Sequence, residues 1–316
     1  MSDTFQRSCE HWSEESRYEM DHFYALASVD YKYLAEAVDW KKWLESRQAE
    51  VGHRPLKLLD VACGSGKFPS ALGQYSKVSD GRVSPIEYAL LDPSAFSLAE
   101  AREALTPPFQ AGAEFETTLQ ALACERGAFD IVWATHALYA VPDDELEAAL
   151  ERFVYAMSGA GFIAHASEDS HYLRFYQHYF DGFKGGMGVP YSSGEQIVKT
   201  LERMGVGARV EQISYENGAP EDAKSQVEGY LQRCIFDDTI SLDAMRNNPV
   251  TGPYLDACLQ DGEWRFKQQV MLLFLYFPEH LCIYKHTMGA RTILSLFCSS
   301  DDHTQLLASS CADAWP

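Results

Sequence analysis

Residues 58–66 read LLDVACGSG, an apolar run that leads into a turn containing Gly64 and Gly66. An apolar run that ends near Asp60 and is followed by helical spacing predicts a strand, a tight turn and a helix. Glycines carry no Cβ atom, so a ligand can approach the backbone of such a turn closely. The stretch therefore predicts a ligand-binding loop at the carboxyl end of a strand.

Two phosphate-binding patterns can be tested at this loop. A P-loop would need glycine at position 61 and serine or threonine at position 68, where the sequence has Val61 and Phe68. A dinucleotide-binding loop would need glycine or alanine at position 69, which is Pro69. Both patterns fail, which favours an adenosyl ligand that has no phosphate to bind.

The second predicted strand ends in an acidic residue. Its sequence, YALLD over residues 88–92, places Asp92 at the carboxyl end, where open α/β sheets bind ligands. A carboxylate there can accept hydrogen bonds from both hydroxyls of a ribose. In the alternative interpretation, Gly64 and Gly66 only form a turn and Asp92 only caps the next helix.

Short apolar runs alternate with amphipathic segments along most of the chain, which predicts a mostly parallel sheet with helices on both faces. The predicted strands are residues 56–62, 86–91, 129–134, 161–166 and 208–215, with 266–276 and 280–286 closing the sheet. Two helices are predicted within residues 13–47, and the later helices are residues 143–157, 194–204, 221–236 and 241–260.

Composition and charge limit the range of functions. The chain of 316 residues has a net charge of −20 and no visible cluster of Lys and Arg, which argues against a nucleic-acid partner. An acidic protein can instead favour cationic ligands. No apolar stretch reaches membrane-spanning length, and the first residues form no apolar signal region, so we expect a cytoplasmic protein without a membrane partner. The eight cysteines form no CxxC pair, which indicates reduced thiols and no metal site.

Two further motifs show a family resemblance. Together with the glycine loop, DPSA at residues 92–95 and ATHALY at residues 134–139 resemble the class I methyltransferases that use S-adenosylmethionine, and among them histamine N-methyltransferase and related small-molecule enzymes. The resemblance implies an α/β, Rossmann-like fold with a mostly parallel seven-stranded sheet, helices on both faces and an N-terminal helical cap. It implies one domain over residues 1–286, with cap helices at 1–50, substrate-side insertions at 167–193 and 217–262, and a tail of unassigned role at 287–316.

The resemblance also implies which residues hold the cofactor, S-adenosyl-L-methionine. The loop from Ala62 to Gly66 would hold its methionine end, and Asp92 its ribose. Thr117 or Thr118 would lie near the adenine, unless they are ordinary loop residues, and Thr135 would pack on the cofactor. The complete set of cofactor-binding candidates is Asp60, Ala62, Cys63, Gly64, Gly66, Asp92, Thr117, Thr118 and Thr135.

Two positions of the resemblance concern the methyl acceptor. In the histamine enzymes a carboxylate on an early helix meets the substrate amine, and a glutamine after the fourth strand meets the imidazole. These positions fall on Asp30 and His136, and both are substitutions: Asp30 has a shorter side chain, and His136 has a titratable ring in place of an amide. We therefore expect Asp30 to position an amine and His136 to be a hydrogen-bond partner or proton acceptor for the nucleophile. The alternatives are a solvated helix residue and a helix-start histidine.

Aromatic residues are dense on both sides of the expected cleft, and we predict that Tyr24, Tyr139 and Phe183 contact the substrate. An aromatic pocket suits a flat ring or a cationic amine. The favoured function is in-line methyl transfer to a small molecule, with N-methylation of an amine or imidazole-type metabolite. The alternatives are an O- or S-methyltransferase acting on a small acid, phenol or thiol, and a non-catalytic S-adenosylmethionine-binding protein. The expected assembly is a monomer or a homodimer.

Overall fold

Strands and helices alternate along the chain in a computed structural model that describes residues 6–8, 10, 17–276, 283–288 and 291–296. The chain divides into two compact units, Met1–Tyr276 and Phe277–Pro316. From Arg17 onward, the helices of the first unit are α1 (Arg17–Ala37), α2 (Trp40–Val51), α3 (Lys67–Tyr75), α4 (Ala95–Ala104), α5 (Asp143–Ala156), α6 (His171–Phe183), α7 (Gly194–Arg203), α8 (Lys224–Ile235), α9 (Leu242–Asn247) and α10 (Thr251–Cys258). Its strands are β1 (Leu56–Val61), β2 (Ile86–Asp92), β3 (Phe109–Glu116), β4 (Phe129–Thr135), β5 (Met157–Ala166), β6 (Ala208–Pro220), β7 (Leu259–Gln260) and β8 (Glu263–Tyr276). The second unit contains β9 (Ile283–Met288) and β10 (Arg291–Leu296).

The first unit is built on one sheet with the strand order β3-β2-β1-β4-β5-β8-β6, and the short strand β7 pairs with β8. Strands β1 to β5 run parallel, whereas β8 is antiparallel to both β5 and β6. The chain moves outward from β1 to β3 and then returns to β4 on the other side of β1, so the loops after β1 and β4 diverge and open a crevice. The predicted fold class is confirmed: a Rossmann-like α/β fold with a mostly parallel sheet and N-terminal helices.

The central strands are buried on both faces. Every residue of β4 is buried, and in β1 only Lys57 is exposed. Burial on both faces explains why these strands are nearly continuous apolar runs that the sequence reveals. The edge strand β3 is mostly exposed, and its sequence FQAGAEFE mixes small and charged residues. Sequence analysis did not predict this strand, because no apolar run marks it.

The predicted helix at residues 241–260 is wrong in its length, because the chain forms two shorter helices there. Between α9 and α10, the Asn248 side chain accepts hydrogen bonds from the backbone N–H groups of Val250 and Thr251. An asparagine that binds the backbone of the residues after it ends one helix and starts the next.

The predicted strand at residues 280–286 does not close the main sheet. Residues 280–282 lie outside the described residues, and β9 pairs with β10 in an antiparallel sheet of two strands. Within the main sheet, β8 pairs with β5 on one side and with β6 on the other. The first compact unit ends at Tyr276. The domain expected over residues 1–286 stays a prediction.

The N-terminal helix α1 positions the site. It packs on α3, which follows the glycine loop, and also on α8 and β6 from the later part of the chain. Trp40 at the start of α2 anchors this cap, because its buried ring packs edge-on against Phe68 and Phe162 while its indole N–H donates to the Leu34 carbonyl at 2.9 Å. One helix therefore contacts elements from both halves of the chain.

Candidate active site

A cleft lies at the carboxyl ends of β1, β2 and β4. The loops that follow these strands form one side, and residues of α1, α6 and α8 form the other. The structure brings most of the predicted site residues together here. The predicted residues that line the cleft are Tyr24, Asp30, Ala62, Cys63, Gly64, Asp92, Thr118, Thr135, His136 and Tyr139. Those that do not line it are Asp60, Gly66, Thr117 and Phe183.

The glycine loop has two glycines with different tasks. Gly64 has a φ of +51°, and a Cβ atom added to it would meet nothing within 4 Å, so this backbone faces open space in the cleft. Gly66 also has a positive φ, but an added Cβ atom would lie 2.9 Å from the Cβ of Ala104 and 3.0 Å from the Cα of Ala101. Gly66 therefore permits close packing of the loop on α4 and does not line the cleft, and its contact with the cofactor stays a prediction.

Asp92 is a buried carboxylate at the carboxyl end of β2. Its two oxygens accept backbone hydrogen bonds from Gly64 at 3.1 Å and Ser94 at 2.9 Å. Burial raises its pKa to about 6, although these two hydrogen bonds oppose the shift. Each oxygen keeps acceptor capacity, because a carboxylate offers about four lone-pair sites. Asp92 thus ties the glycine loop to β2 and can still accept hydrogen bonds from a ligand.

Asp60 lies beneath the cleft and not in it. Its carboxylate accepts a 2.7 Å hydrogen bond from the Tyr88 hydroxyl, which in turn accepts one from the Trp133 indole at 3.2 Å. Burial raises the pKa of Asp60 to about 7. Asp60 does not line the cleft, and its hydrogen bonds connect β1, β2 and β4 under the loop, so its contact with the cofactor stays a prediction. Thr117 is likewise outside the cleft, while its neighbour Thr118 lines it.

Asp30 lies on α1 and lines the part of the cleft that also contains Tyr31, His136, Tyr139 and Tyr172, here called the acceptor half. Only 2% of its surface is exposed, which excludes the alternative of a solvated helix residue. Its carboxylate accepts hydrogen bonds from the Tyr172 hydroxyl at 2.5 Å and from the Asn217 amide at 2.9 Å. Burial raises the pKa of Asp30 to about 6. A carboxylate held in this way is already oriented and keeps lone pairs for a cation in the cleft.

His136 follows β4 directly and has a φ of +54°, a conformation that non-glycine residues adopt mainly where their surroundings enforce it. Its backbone N–H donates to the Ala164 carbonyl at 2.9 Å. Its ring Nδ1 lies 2.6 Å from the Tyr139 hydroxyl, and its buried Nε2 has no hydrogen-bond partner among the described residues. Burial lowers the pKa of His136 to about 3, so the ring is neutral at physiological pH and a weak proton acceptor.

Aromatic rings line much of the acceptor half. The predicted Tyr24 and Tyr139 are among them, and Tyr24 also contacts the cofactor side, where the Lys67 ammonium group lies 4.4 Å from its ring centroid. Phe183 is not among them, because it is the last residue of α6 and stacks on Tyr179 outside the cleft. The other aromatic residues of the lining are Phe23, Tyr31, Phe68, Tyr172, Tyr191 and Phe236.

Several polar residues of the site were not predicted from the sequence. Tyr172 and Asn217 hold Asp30 but lie 142 and 187 positions away in the chain, so only the fold brings them together. Arg233 on α8 also lines the cleft and had no motif around it. Lys67 could have been found, because it directly follows the glycine loop and begins α3. In the part of the chain that the structure describes, no three His, Cys, Asp or Glu side chains are grouped as metal ligands.

Comparisons with known proteins agree with this architecture. Residues 58–161 match a family model described as a methyltransferase domain. No curated protein matches the sequence. A solved structure of magnesium protoporphyrin IX methyltransferase from Synechocystis PCC 6803, with bound SAH, is 12% identical; the match covers 87% of this chain and 100% of that one, with a TM-score of 0.52.

A putative methyltransferase from Bacillus halodurans is 13% identical, with 74% of this chain and 97% of that chain covered and a TM-score of 0.47. At 12% identity, the Synechocystis structure shows a shared fold and no more. Among the described residues, no helix is both long and apolar enough to span a membrane.

Proposed function

We propose that this chain, whose residues 58–161 match a methyltransferase domain, uses S-adenosylmethionine to methylate the nitrogen of a small amine or imidazole-type metabolite. One observation carries the proposal: the buried Asp30 carboxylate faces an aromatic-lined cleft that also contains the glycine loop. A buried carboxylate among aromatic rings attracts an ammonium ion through both charge and cation–π interactions. Asp30 thus favours a cationic group of the ligand at its own position in the cleft, which Lys67 and Arg233 also line.

The residues of the cofactor half fit S-adenosylmethionine. The open space above Gly64 would admit the methionine end against the backbone of the loop from Ala62 to Gly64. Asp92 would accept hydrogen bonds from the ribose hydroxyls with its remaining lone pairs. Thr118 would lie beside the adenine, and Thr135 would pack on the cofactor. When bound, the cofactor supplies a methyl group on a positively charged sulfur.

The residues of the acceptor half support attack by an amine on that methyl group. Asp30 pairs with the ammonium form of the substrate and shares the proton that the amine must lose before its lone pair can attack. A pKa of about 6 suits this role better than the lower value of an exposed aspartate. His136 is neutral and therefore orients the substrate by a hydrogen bond and does not accept its proton. Alignment and exclusion of water from the cleft supply much of the rate.

A small molecule is the favoured acceptor because residues of α1 and α8 line the cleft and these two helices pack on each other. The net charge of −20 further disfavours a nucleic acid. We predict no metal requirement for the attack described here.

The test is incubation of the protein with methyl-labelled S-adenosylmethionine and a panel of small amines, imidazoles, phenols, thiols and carboxylic acids. The proposal predicts labelled product from an amine or an imidazole, with mass spectrometry placing the methyl group on nitrogen. Transfer to oxygen or sulfur only would overturn it. So would calorimetric binding of S-adenosylmethionine without transfer to any compound, which would indicate a non-catalytic binding protein.

A further inference from the structure

A short chain of hydrogen bonds runs from the backbone of β5 to His136. The backbone N–H of Ala166 donates to the Tyr139 hydroxyl oxygen at 3.3 Å, and that hydroxyl lies 2.6 Å from His136 Nδ1. The other ring nitrogen, Nε2, is buried and has no hydrogen-bond partner among the described residues. The His136 ring packs edge-on against the rings of Tyr31 and Tyr172, which both line the cleft. Nε2 is therefore the ring atom of His136 with hydrogen-bonding capacity left for a ligand in the cleft that His136 lines.

The direction of the hydrogen bond between Tyr139 and His136 follows from counting donors and acceptors. If the Tyr139 hydroxyl donates to Nδ1, its proton and the Nδ1 lone pair are both satisfied, and only the N–H at Nε2 lacks a partner. If Nδ1–H donates instead, both the Tyr139 proton and the Nε2 lone pair lack partners among the described residues. Buried polar groups without partners are costly, so the first arrangement is favoured.

The packing around Tyr139 supports the same arrangement. Its ring lies 4.1 Å from the ring of His165, whose Nε2 is 2.9 Å from the carbonyl of Ser192. Burial raises the pKa of Tyr139 well above its ordinary value, so its hydroxyl keeps its proton. The ring of His136 stacks on that of Tyr139, which restricts rotation of the imidazole.

We infer that Tyr139 is a positioning residue that holds His136 in the Nε2–H form, so that His136 donates a hydrogen bond to the methyl acceptor. The inference rests on the proposed function and narrows it. The substrate is then an amine that also carries a hydrogen-bond acceptor, such as a pyridine-type nitrogen, a carbonyl or an ether oxygen. The amine faces Asp30, and the acceptor atom faces His136.

The same donor decides which nitrogen of an imidazole-type amine can react. The ring nitrogen that accepts from His136 uses its lone pair in that bond, and the other ring nitrogen of a neutral imidazole carries a proton. Neither then offers a free lone pair for attack. The methylated atom is therefore the amine nitrogen.

The form of His136 can be observed directly by NMR of the full-length protein labelled with 15N-histidine, with S-adenosylhomocysteine bound. The ring signals of His136 are assigned as those that disappear in His136→Gln. In the parent we expect a protonated Nε2 and an unprotonated Nδ1. Tyr139→Phe should change this pattern of protonation. The control Tyr155→Phe, at an exposed tyrosine of α5, should not change it. A protonated Nδ1 in the parent would overturn the inference.

The substrate class can be tested with three amines of similar size that differ only in the ring: 2-(pyridin-2-yl)ethylamine, 2-phenylethylamine and 2-(pyrrol-2-yl)ethylamine. The pyridine ring offers a hydrogen-bond acceptor and the pyrrole ring a donor, whereas the phenyl ring offers neither. In calorimetric titrations with S-adenosylhomocysteine bound, the pyridyl amine should bind about tenfold more tightly than the phenyl amine. The pyrrolyl amine should bind most weakly, because its N–H meets that of His136. In Tyr139→Phe the pyridyl advantage should shrink to about threefold or less, whereas Tyr155→Phe should retain it.

The outcomes separate the inference from the proposed function. If the three amines bind equally, or the pyrrolyl amine binds most tightly, the inference fails while binding of amines stands. If none of the three binds and the panel described above gives no N-methylated product, the proposed function fails, and the substrate class falls with it. A loss of affinity for all three amines in Tyr139→Phe, without a change in their order, would indicate a merely structural role for Tyr139 and would overturn its assignment.

Discussion

The cofactor half of the site predicts a defined loss of affinity when the Asp92 carboxylate is changed to an amide. The carboxylate binds the backbone N–H groups of Gly64 and Ser94, one on each oxygen, and keeps lone pairs toward the cleft. An amide offers one acceptor oxygen, so it cannot serve both N–H groups and the ribose. Replacing a charged acceptor by a neutral one costs about 1–2 kcal/mol, so Asp92→Asn should weaken S-adenosylhomocysteine binding about 5- to 30-fold in a calorimetric titration at pH 8.

A matched control lies on the neighbouring strand. Glu116 is paired in register with Asp92, is exposed and does not line the cleft. Glu116→Gln makes the same chemical change and should leave affinity within about twofold of the parent. Because burial raises the pKa of Asp92 to about 6, its ionised form is not a stabilising charge at pH 8, and Asp92→Asn should change the free energy of unfolding by only about 1 kcal/mol. Parent-like affinity in Asp92→Asn, or an equal loss in Glu116→Gln, would refute the reasoning.

The loop and the buried acids give two further predictions. Gly66→Ala should lower the free energy of unfolding by about 1–3 kcal/mol, because its positive φ strains alanine and its Cβ would collide with α4. Gly64→Ala, which has the strain of a positive φ but no collision, should lower it by less and should also weaken S-adenosylhomocysteine binding. Denaturant unfolding and calorimetry of both variants would contradict this if the order of the two stability losses were reversed. Burial raises the pKa values of Asp30 and Asp92 to about 6 and of Asp60 to about 7, so the folded protein holds protons that the unfolded chain has released. The contribution of these three carboxyl groups to the free energy of unfolding should therefore fall as pH rises from about 4 to about 7, while His136, His165 and His171, whose pKa values burial lowers, contribute in the opposite direction. The difference in unfolding free energy between the parent and each amide variant (Asp30→Asn, Asp60→Asn, Asp92→Asn) should accordingly fall across this range in denaturant unfolding, and a difference that does not change with pH would be the contrary result.

Local patterns in the sequence were sufficient to predict that the glycine loop and Asp92 meet at one edge of the sheet. The glycine loop and Asp92 each follow a buried strand whose apolar residues are contiguous, so both the element and its end are visible. The fold then places the carboxyl ends of β1 and β2 side by side, which is a property of parallel strands and requires no further information. The edge strand β3 was not predicted, because most of its residues are exposed and they form no contiguous apolar run.

Whether a predicted residue lines the cleft depends on the direction of its side chain, and sequence spacing does not give that direction. Thr117 and Thr118 are neighbours, yet only Thr118 lines the cleft. Asp60 ends the same apolar run as the glycine loop, but its hydrogen bond with Tyr88 turns it beneath the loop. Phe183 belongs to an aromatic helix, yet its position in the last turn of α6 places it on Tyr179 and outside the cleft.

Long-range contacts were the least predictable part of the acceptor half. Asp30 and His136 were found through a family resemblance, but the groups that orient them were not, except Tyr139, which was predicted as a substrate contact and not as the partner of His136. Tyr172 and Asn217 orient the Asp30 carboxylate, and Tyr139 determines which nitrogen of His136 carries a proton. Burial changes the pKa of Asp30 and His136 in opposite directions, because the carboxyl group and the imidazole are charged in opposite protonation states. The role of His136 as a proton acceptor, expected from the sequence, is disfavoured for this reason.

The central claim is that Asp30 binds an amine beside the cofactor. The most direct measurement is methyl transfer from labelled S-adenosylmethionine to the preferred small amine. KM and kcat are compared for the parent, Asp30→Asn and Asp21→Asn. Asp21→Asn is the control, because it makes the same change at an exposed position of α1. We predict that Asp30→Asn raises the KM for the amine about 10- to 100-fold, through loss of a charge-assisted hydrogen bond, while leaving S-adenosylhomocysteine affinity unchanged. Asp21→Asn should match the parent. Parent-like KM and kcat for Asp30→Asn would contradict the account.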